Sequence, residues 1–108
     1  ADTWVVNLKH FLNSDGSIAP KSGPALRIAE HFAAIVQEIT ADIMEQRGYE
    51  KVRCRRRPNH KPCLGEIESI LDPETGMILW RCPVCGDNGS ISGWEESFWD
   101  LTEVFDPQ

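Results

Sequence analysis

Cys82-Pro83-Val84-Cys85-Gly86 places two thiols two residues apart, with Pro83 and Gly86 shaping a tight turn between them. Such a pair can grip one metal ion. The remaining cysteines, Cys54 and Cys63, lie upstream across a run that reads as a β-hairpin. Together Cys54, Cys63, Cys82 and Cys85 make a complete tetrahedral thiolate shell for one Zn2+, with Zn–S distances of about 2.3 Å. A shell closed by four sulfurs keeps no position open for a substrate, so the zinc expected here is structural. Two other uses of four cysteines compete with this one. Two disulfides need an oxidising compartment, and a redox Cys-x-x-Cys needs its first thiol at a helix N-terminus, where its pKa falls. Asp87, Asn88 and Gly89 follow the pair and favour a turn over a helix.

Spacing at the first corner is unusual, because eight residues, Arg55 to Pro62, separate Cys54 from Cys63. That loop must fold back on itself, stiffened by Pro58 and Pro62. It also admits His60 as a candidate ligand in place of Cys54 or Cys63. His10 and His31 have no ligand-spaced neighbour and read as ordinary surface or edge histidines.

Charge is segregated behind the net value of −6. Residues 47–61 hold seven of the eleven basic residues against the single acid Glu50, whereas residues 86–108 hold six acids and no Lys or Arg. Lys51, Arg53, Arg55, Arg56, Arg57 and Lys61 are therefore candidates for contact with an anion, and nucleic acid is one such partner. Trp80 and Trp94 would be its stacking surfaces. An acidic protein partner is a second reading. In a third, Arg55, Arg56 and Arg57 serve the metal site itself, donating to thiolates whose formal charge exceeds that of Zn2+ by two. Enzyme chemistry finds no support: the sequence has no Gly-rich phosphate loop, no nucleophile elbow and no His-Glu metal helix. Glu66 and Glu68 share one strand face but read as a solvated pair.

The elements that must position these groups follow from periodicity. Trp4 to Leu8 is short and β-branched and reads as a strand, and residues 13–23 are rich in loop formers. Pro24 suits the start of a helix and Gly48 its end. Between them Ile28, Phe32, Ile35, Val36, Ile39 and Ile43 recur at spacings of three and four, so they share one face. That stripe must be buried, against a sheet or against a dimer partner. Strands are expected at Tyr49 to Arg53, Gly65 to Leu71, Met77 to Arg81 and Gly89 to Trp94, with a turn over Asp72 to Gly76. Glu95 to Phe105 carries Trp94, Phe98, Leu101 and Phe105 at near-helical spacing and is expected to be helical. No apolar run approaches a membrane span, and the chain shows no export signal, so a cytoplasmic site without membrane contact is expected.

Two corners joined by a hairpin resemble a zinc ribbon over about residues 52–94, with Cys82-Pro83-Val84-Cys85-Gly86 as the specific part. The resemblance implies structural zinc on all four cysteines. Arg53-Cys54-Arg55-Arg56-Arg57-Pro58, Trp80 to Asp87 and Ile91-Ser92-Gly93-Trp94 together resemble a group of short bacterial proteins of uncharacterised function, which implies no activity. The expectation is an α+β domain over 1–108: strand and helix in 1–48, the ribbon in 49–94 and an acidic aromatic segment in 95–108. One long amphipathic helix packs on a small antiparallel sheet. Its role is that of a non-enzymatic zinc module binding nucleic acid, with a protein-assembly module or a thiol redox or metal-handling protein using Cys82 and Cys85 as alternatives. Oligomeric state is not legible.

Overall fold

The structure, a computed structural model, describes residues 3–46 and 48–104. Strands β1 (Thr3–Asn7), β2 (Glu68–Leu71), β3 (Ile78–Arg81) and β4 (Asn88–Ser92) form one sheet in the order β1-β4-β3-β2, and α1 (Gly23–Ile43) packs across it. The class is α+β, as expected. The sheet is mixed, which corrects the antiparallel expectation: β2-β3-β4 is antiparallel, but β1 adds to β4 in parallel, with Val5 opposite Ser90. Gly89 explains how this junction closes. A Cβ there would lie 2.7 Å from Trp4 Cβ and 2.9 Å from Trp80 Cζ2, so only glycine leaves room for both residues at β4.

The helical stripe is buried as its spacing requires. Phe32, Ile35, Val36 and Ile39 join Val6, Ile78, Trp80 and Ile91 in one core, while Ile28 is partly buried and Ile43 is exposed. Each fully buried large side chain contributes about 1.5–3 kcal/mol of transfer free energy, so this stripe, more than helix propensity, holds α1 in place. Pro24 stands in the first turn, as expected. At the other end the helix stops at Ile43, sooner than Gly48, because Glu45 turns left-handed (φ 56) and Gln46 N–H reaches back to Ala41 O at 2.8 Å. Among the described residues no helix is long and apolar enough to cross a membrane.

Three sequence expectations are revised in extent. Tyr49 to Arg53 is not a strand; its one bridge joins Arg53 to Glu66. The hairpin strands shorten to β2 and β3, although the turn is as expected, with Gly76 at φ 75 and Asp72 accepting from Glu74 N–H and the Thr75 hydroxyl. Among the described residues of the C-terminal segment, helix is confined to α2 (Leu101–Val104), while Phe105 lies outside them. Buried Asp100 dictates that start: its carboxylate accepts from Glu96 N–H at 2.9 Å and from Thr102 N–H at 3.0 Å, an N-cap that ends the irregular stretch before it. Thr40 on α1 then receives Leu101 N–H at 3.1 Å and ties α2 to the core.

Candidate metal centre

Backbone pairing brings the two corners together. Cys54 N–H donates to Gly65 O at 2.9 Å and Ile67 N–H to Val52 O at 2.8 Å, so the chain entering the first corner lies antiparallel to the chain leaving it. The eight-residue loop folds back as its spacing demands, with Cys63 N–H on Arg56 O at 2.9 Å. Asn59 and His60 both take left-handed φ values, 55 and 64, to make the bend. At the second corner β3 delivers Cys82, whose N–H donates to Asp87 O at 2.7 Å, and Gly86 turns at φ 84. Cys82 to Cys85 therefore occupies a turn between strands, without the helix N-terminus a redox pair would use.

The four sulfurs converge. Cys54 Sγ lies 3.6 Å from Cys85 Sγ and Cys63 Sγ 3.6 Å from Cys82 Sγ, and all four lie within 4.8 Å of one another. Sulfurs held at about 2.3 Å from a tetrahedral centre are about 3.8 Å apart, so the quartet matches the edges of such a shell. Cys54, Cys63 and Cys82 are buried and Cys85 is half-buried, with none in a disulfide. His60 is exposed and is not part of the cluster.

Gly65 ties this arrangement together, and sequence reasoning missed it. Its N–H donates to Cys63 Sγ at 3.4 Å, its carbonyl accepts from Cys54, and a Cβ on it would collide with Cys82 Sγ. One residue without a side chain thus touches three of the four ligands. The signal was present as a glycine two residues after Cys63.

Backbone amides, not guanidiniums, face the sulfurs. Arg56 N–H donates to Cys54 Sγ at 3.5 Å, beside the Gly65 contact. Burial raises the Cys82 thiol, but the N–H groups of Cys85 and Val84 and the thiols of Cys63 and Cys54 outweigh it and bring the pKa down to about 7. Burial pushes the Cys54 thiol far up. At Cys63 the Gly65 N–H pulls down, yet burial and the Cys82 and Cys85 thiols prevail and the pKa rises. Of these three, Cys82 is consequently the thiol that most readily offers a thiolate to an incoming ion.

The basic residues separate into different environments. Arg56 pairs at 3.3 Å with Asp87, whose side chain is only 4% exposed, and so locks the first corner onto the second. Lys51 pairs with Glu38 at 3.3 Å, and Arg57 donates to His60 O at 3.2 Å. Arg53, Arg55 and Lys61 are exposed, with no side-chain ion pair among the described residues. Trp80 and Trp94 are buried in the core and offer no face for stacking. His31, read as a surface or edge residue, is half-buried, its ring perpendicular to Trp80 at 6.0 Å. Burial and then the Arg55 charge depress its pKa to about 4, against a smaller opposing effect of Asp87. No protein-family model, curated protein or solved structure matches the chain, so the reading of this centre rests on its own geometry.

Proposed function

We propose that the quartet binds one Zn2+ as a structural staple, and that the chain is a zinc-ribbon-like, non-enzymatic binding module of the cytoplasm. The observation that carries this is the set of sulfur separations, 3.6 Å across each pair and no more than 4.8 Å overall, with backbone amides turned toward three of the sulfurs. When bound, zinc supplies cross-linking of the two corners. Four thiolates leave it no open position, so this chain's own residues determine what the module recognises.

In this reading the ligand is the phosphate backbone of a nucleic acid, held by Arg53, Arg55, Arg57 and Lys61. These side chains are exposed around the staple and carry no ion pair among the described residues. Recognition is then electrostatic, since the tryptophans are buried. Each phosphate contact steepens the salt dependence by roughly 0.9 in log K per log salt on duplex. A second reading has its own support: Leu64 and Val84, 80% and 68% exposed next to the cysteine ligands, suit an acidic protein partner with an apolar side chain.

The test replaces Arg55, Arg57 and Lys61 by Gln, sparing Arg56 because it neutralises Asp87. Zinc content and binding to single- and double-stranded oligonucleotides are then measured across salt. Retained zinc with lost, salt-sensitive binding supports the nucleic-acid reading. A wild-type chain that binds neither oligonucleotide at low salt refutes it.

A further inference from the structure

β2 lies at one edge of the sheet, and two hydrogen bonds determine which of its backbone groups face outward. Asp72 N–H turns inward to Met77 O at 2.9 Å, and Ile67 N–H turns outward to Val52 O at 2.8 Å. Alternation along the strand then directs the amides and carbonyls of Ser69 and Leu71 to the open side. The segment that covers the edge at 65–67 leaves at Val52, where its N–H goes to Glu38 Oε2 at 3.2 Å and Lys51 pairs with Glu38. Beyond that point no described backbone meets Ser69 or Leu71. Edge strands are commonly guarded by shortness, charge, Pro or a bulge; β2, Glu-Ser-Ile-Leu, is short and carries Glu68 but has no Lys, Pro or bulge and exposes Ile70 at 62%.

The surroundings select what can pair there. On the helix side, a cavity of about 240 Å3 opens at the edge between Glu38, Asp42, Lys51, Glu68 and Ser69. Glu38 and Asp42 line it beside Lys51, whose pKa both raise, so two carboxylates meet one cation there, while Glu68 turns to the outer face and meets Arg81 at 3.3 Å. On the outer face, Ile70 and Leu79 line a shallow, largely apolar depression of about 300 Å3. The opposite edge strand, Thr-Trp-Val-Val-Asn, carries no charge at all.

We infer that β2 is a docking edge for an extended peptide segment of a partner protein that alternates basic and aliphatic residues, paired antiparallel as a continuation of the Val52–Ile67 register. Main-chain hydrogen bonds to Ser69 and Leu71 provide the affinity. Basic side chains over the carboxylate-lined cavity, and aliphatic ones against Ile70 and Leu79, provide the choice of sequence. A second copy is a poorer occupant, because pairing β2 with β2 would bring Glu68 and its neighbouring acids against their own kind. The inference does not depend on nucleic-acid binding.

Acetyl-Lys-Val-Lys-Val-Lys-Val-amide and its Glu-for-Lys counterpart, titrated against the zinc-loaded full chain with amide hydrogen exchange followed by NMR, test this. The Lys peptide should slow exchange at Ser69 and Leu71 at least about tenfold, leave β1 unprotected, and bind at least about tenfold more tightly than the Glu peptide. Ser69→Pro removes an outward donor where an edge tolerates proline, and should abolish binding without loss of zinc. Should Ser69→Pro unfold, Asp42→Lys on the exposed helix surface should narrow the preference for the Lys peptide. Equal affinity for the two peptides, no binding of either, protection on β1, or sedimentation showing a dimer whose β2 amides are already protected would each overturn the inference.

Discussion

Gly65→Ala probes the metal centre at its tightest point. The Cβ it adds would collide with Cys82 Sγ and come within 3.1 Å of Val84 Cβ and Cγ2, so either the sulfur or the strand leaving Cys63 must move. Metal sites of this kind tolerate displacements of about 0.2 Å, so Cys82 would cease to be a well-placed ligand. Structural zinc binding totals about 10–16 kcal/mol, or roughly 2.5–4 kcal/mol for each of four ligands, and losing one predicts an affinity about 60- to 900-fold weaker. Gly86→Ala is the informative comparison. At Gly86 nothing lies within 4 Å of an added Cβ and the obstacle is a φ of 84, which costs about 1–2 kcal/mol of backbone strain. Chelator competition measures both affinities, and Co2+ substitution reads the thiolate geometry directly. Gly65→Ala binding zinc as tightly as wild type, with an unchanged Co2+ spectrum, would refute the view that this glycine exists to admit Cys82.

Arg56→Gln strands the buried Asp87 carboxylate and should cost about 2 kcal/mol in denaturant unfolding with zinc present, less than a fully buried pair because Arg56 is half exposed, while Arg57→Gln should change stability by under about 0.5 kcal/mol. His31 has a folded pKa near 4, below its ordinary 6.5, so the stability from keeping it neutral is complete above about pH 6.5 and is lost as pH falls toward 4. Discounted for its exposure, that loss is about 2 kcal/mol, read as the difference between wild-type and His31→Gln stability curves, since thiolate protonation is common to both. Cys82→Ser should release the metal and melt the two corners, whereas His60→Ala should leave zinc content unchanged; metal loss on His60→Ala alone would overturn the ligand assignment.

Much of this was legible from local pattern. Spacings of three and four marked the face of α1, and Phe32, Ile35, Val36 and Ile39 are buried. Cys-Pro-x-Cys-Gly marked a metal-binding turn, and the thiols it was grouped with do converge. What could not be read depended on partners distant in sequence. The parallel pairing of β1 with β4 joins residues more than eighty positions apart, and the glycine that permits it, Gly89, looks like any turn glycine. The Tyr49 to Arg53 segment has strand-forming residues but yields its hydrogen bonding to Glu38 after a short pairing. The basic residues of 51–61 looked like one patch, and only the fold separates Arg56, which answers Asp87, from Arg55, which does not. In the C-terminal segment, Asp100-Leu101-Thr102-Glu103 carries a capping pattern that would have placed the helix start correctly had it been weighed above aromatic spacing.

Metal stoichiometry tests the central claim most directly. Elemental analysis of the purified chain, paired with thiol titration before and after denaturation in chelator, should give one zinc per chain with four thiols that become reactive only once the metal is removed. Less than about half an equivalent of zinc, with the cysteines freely reactive or oxidised in the native protein, would contradict it.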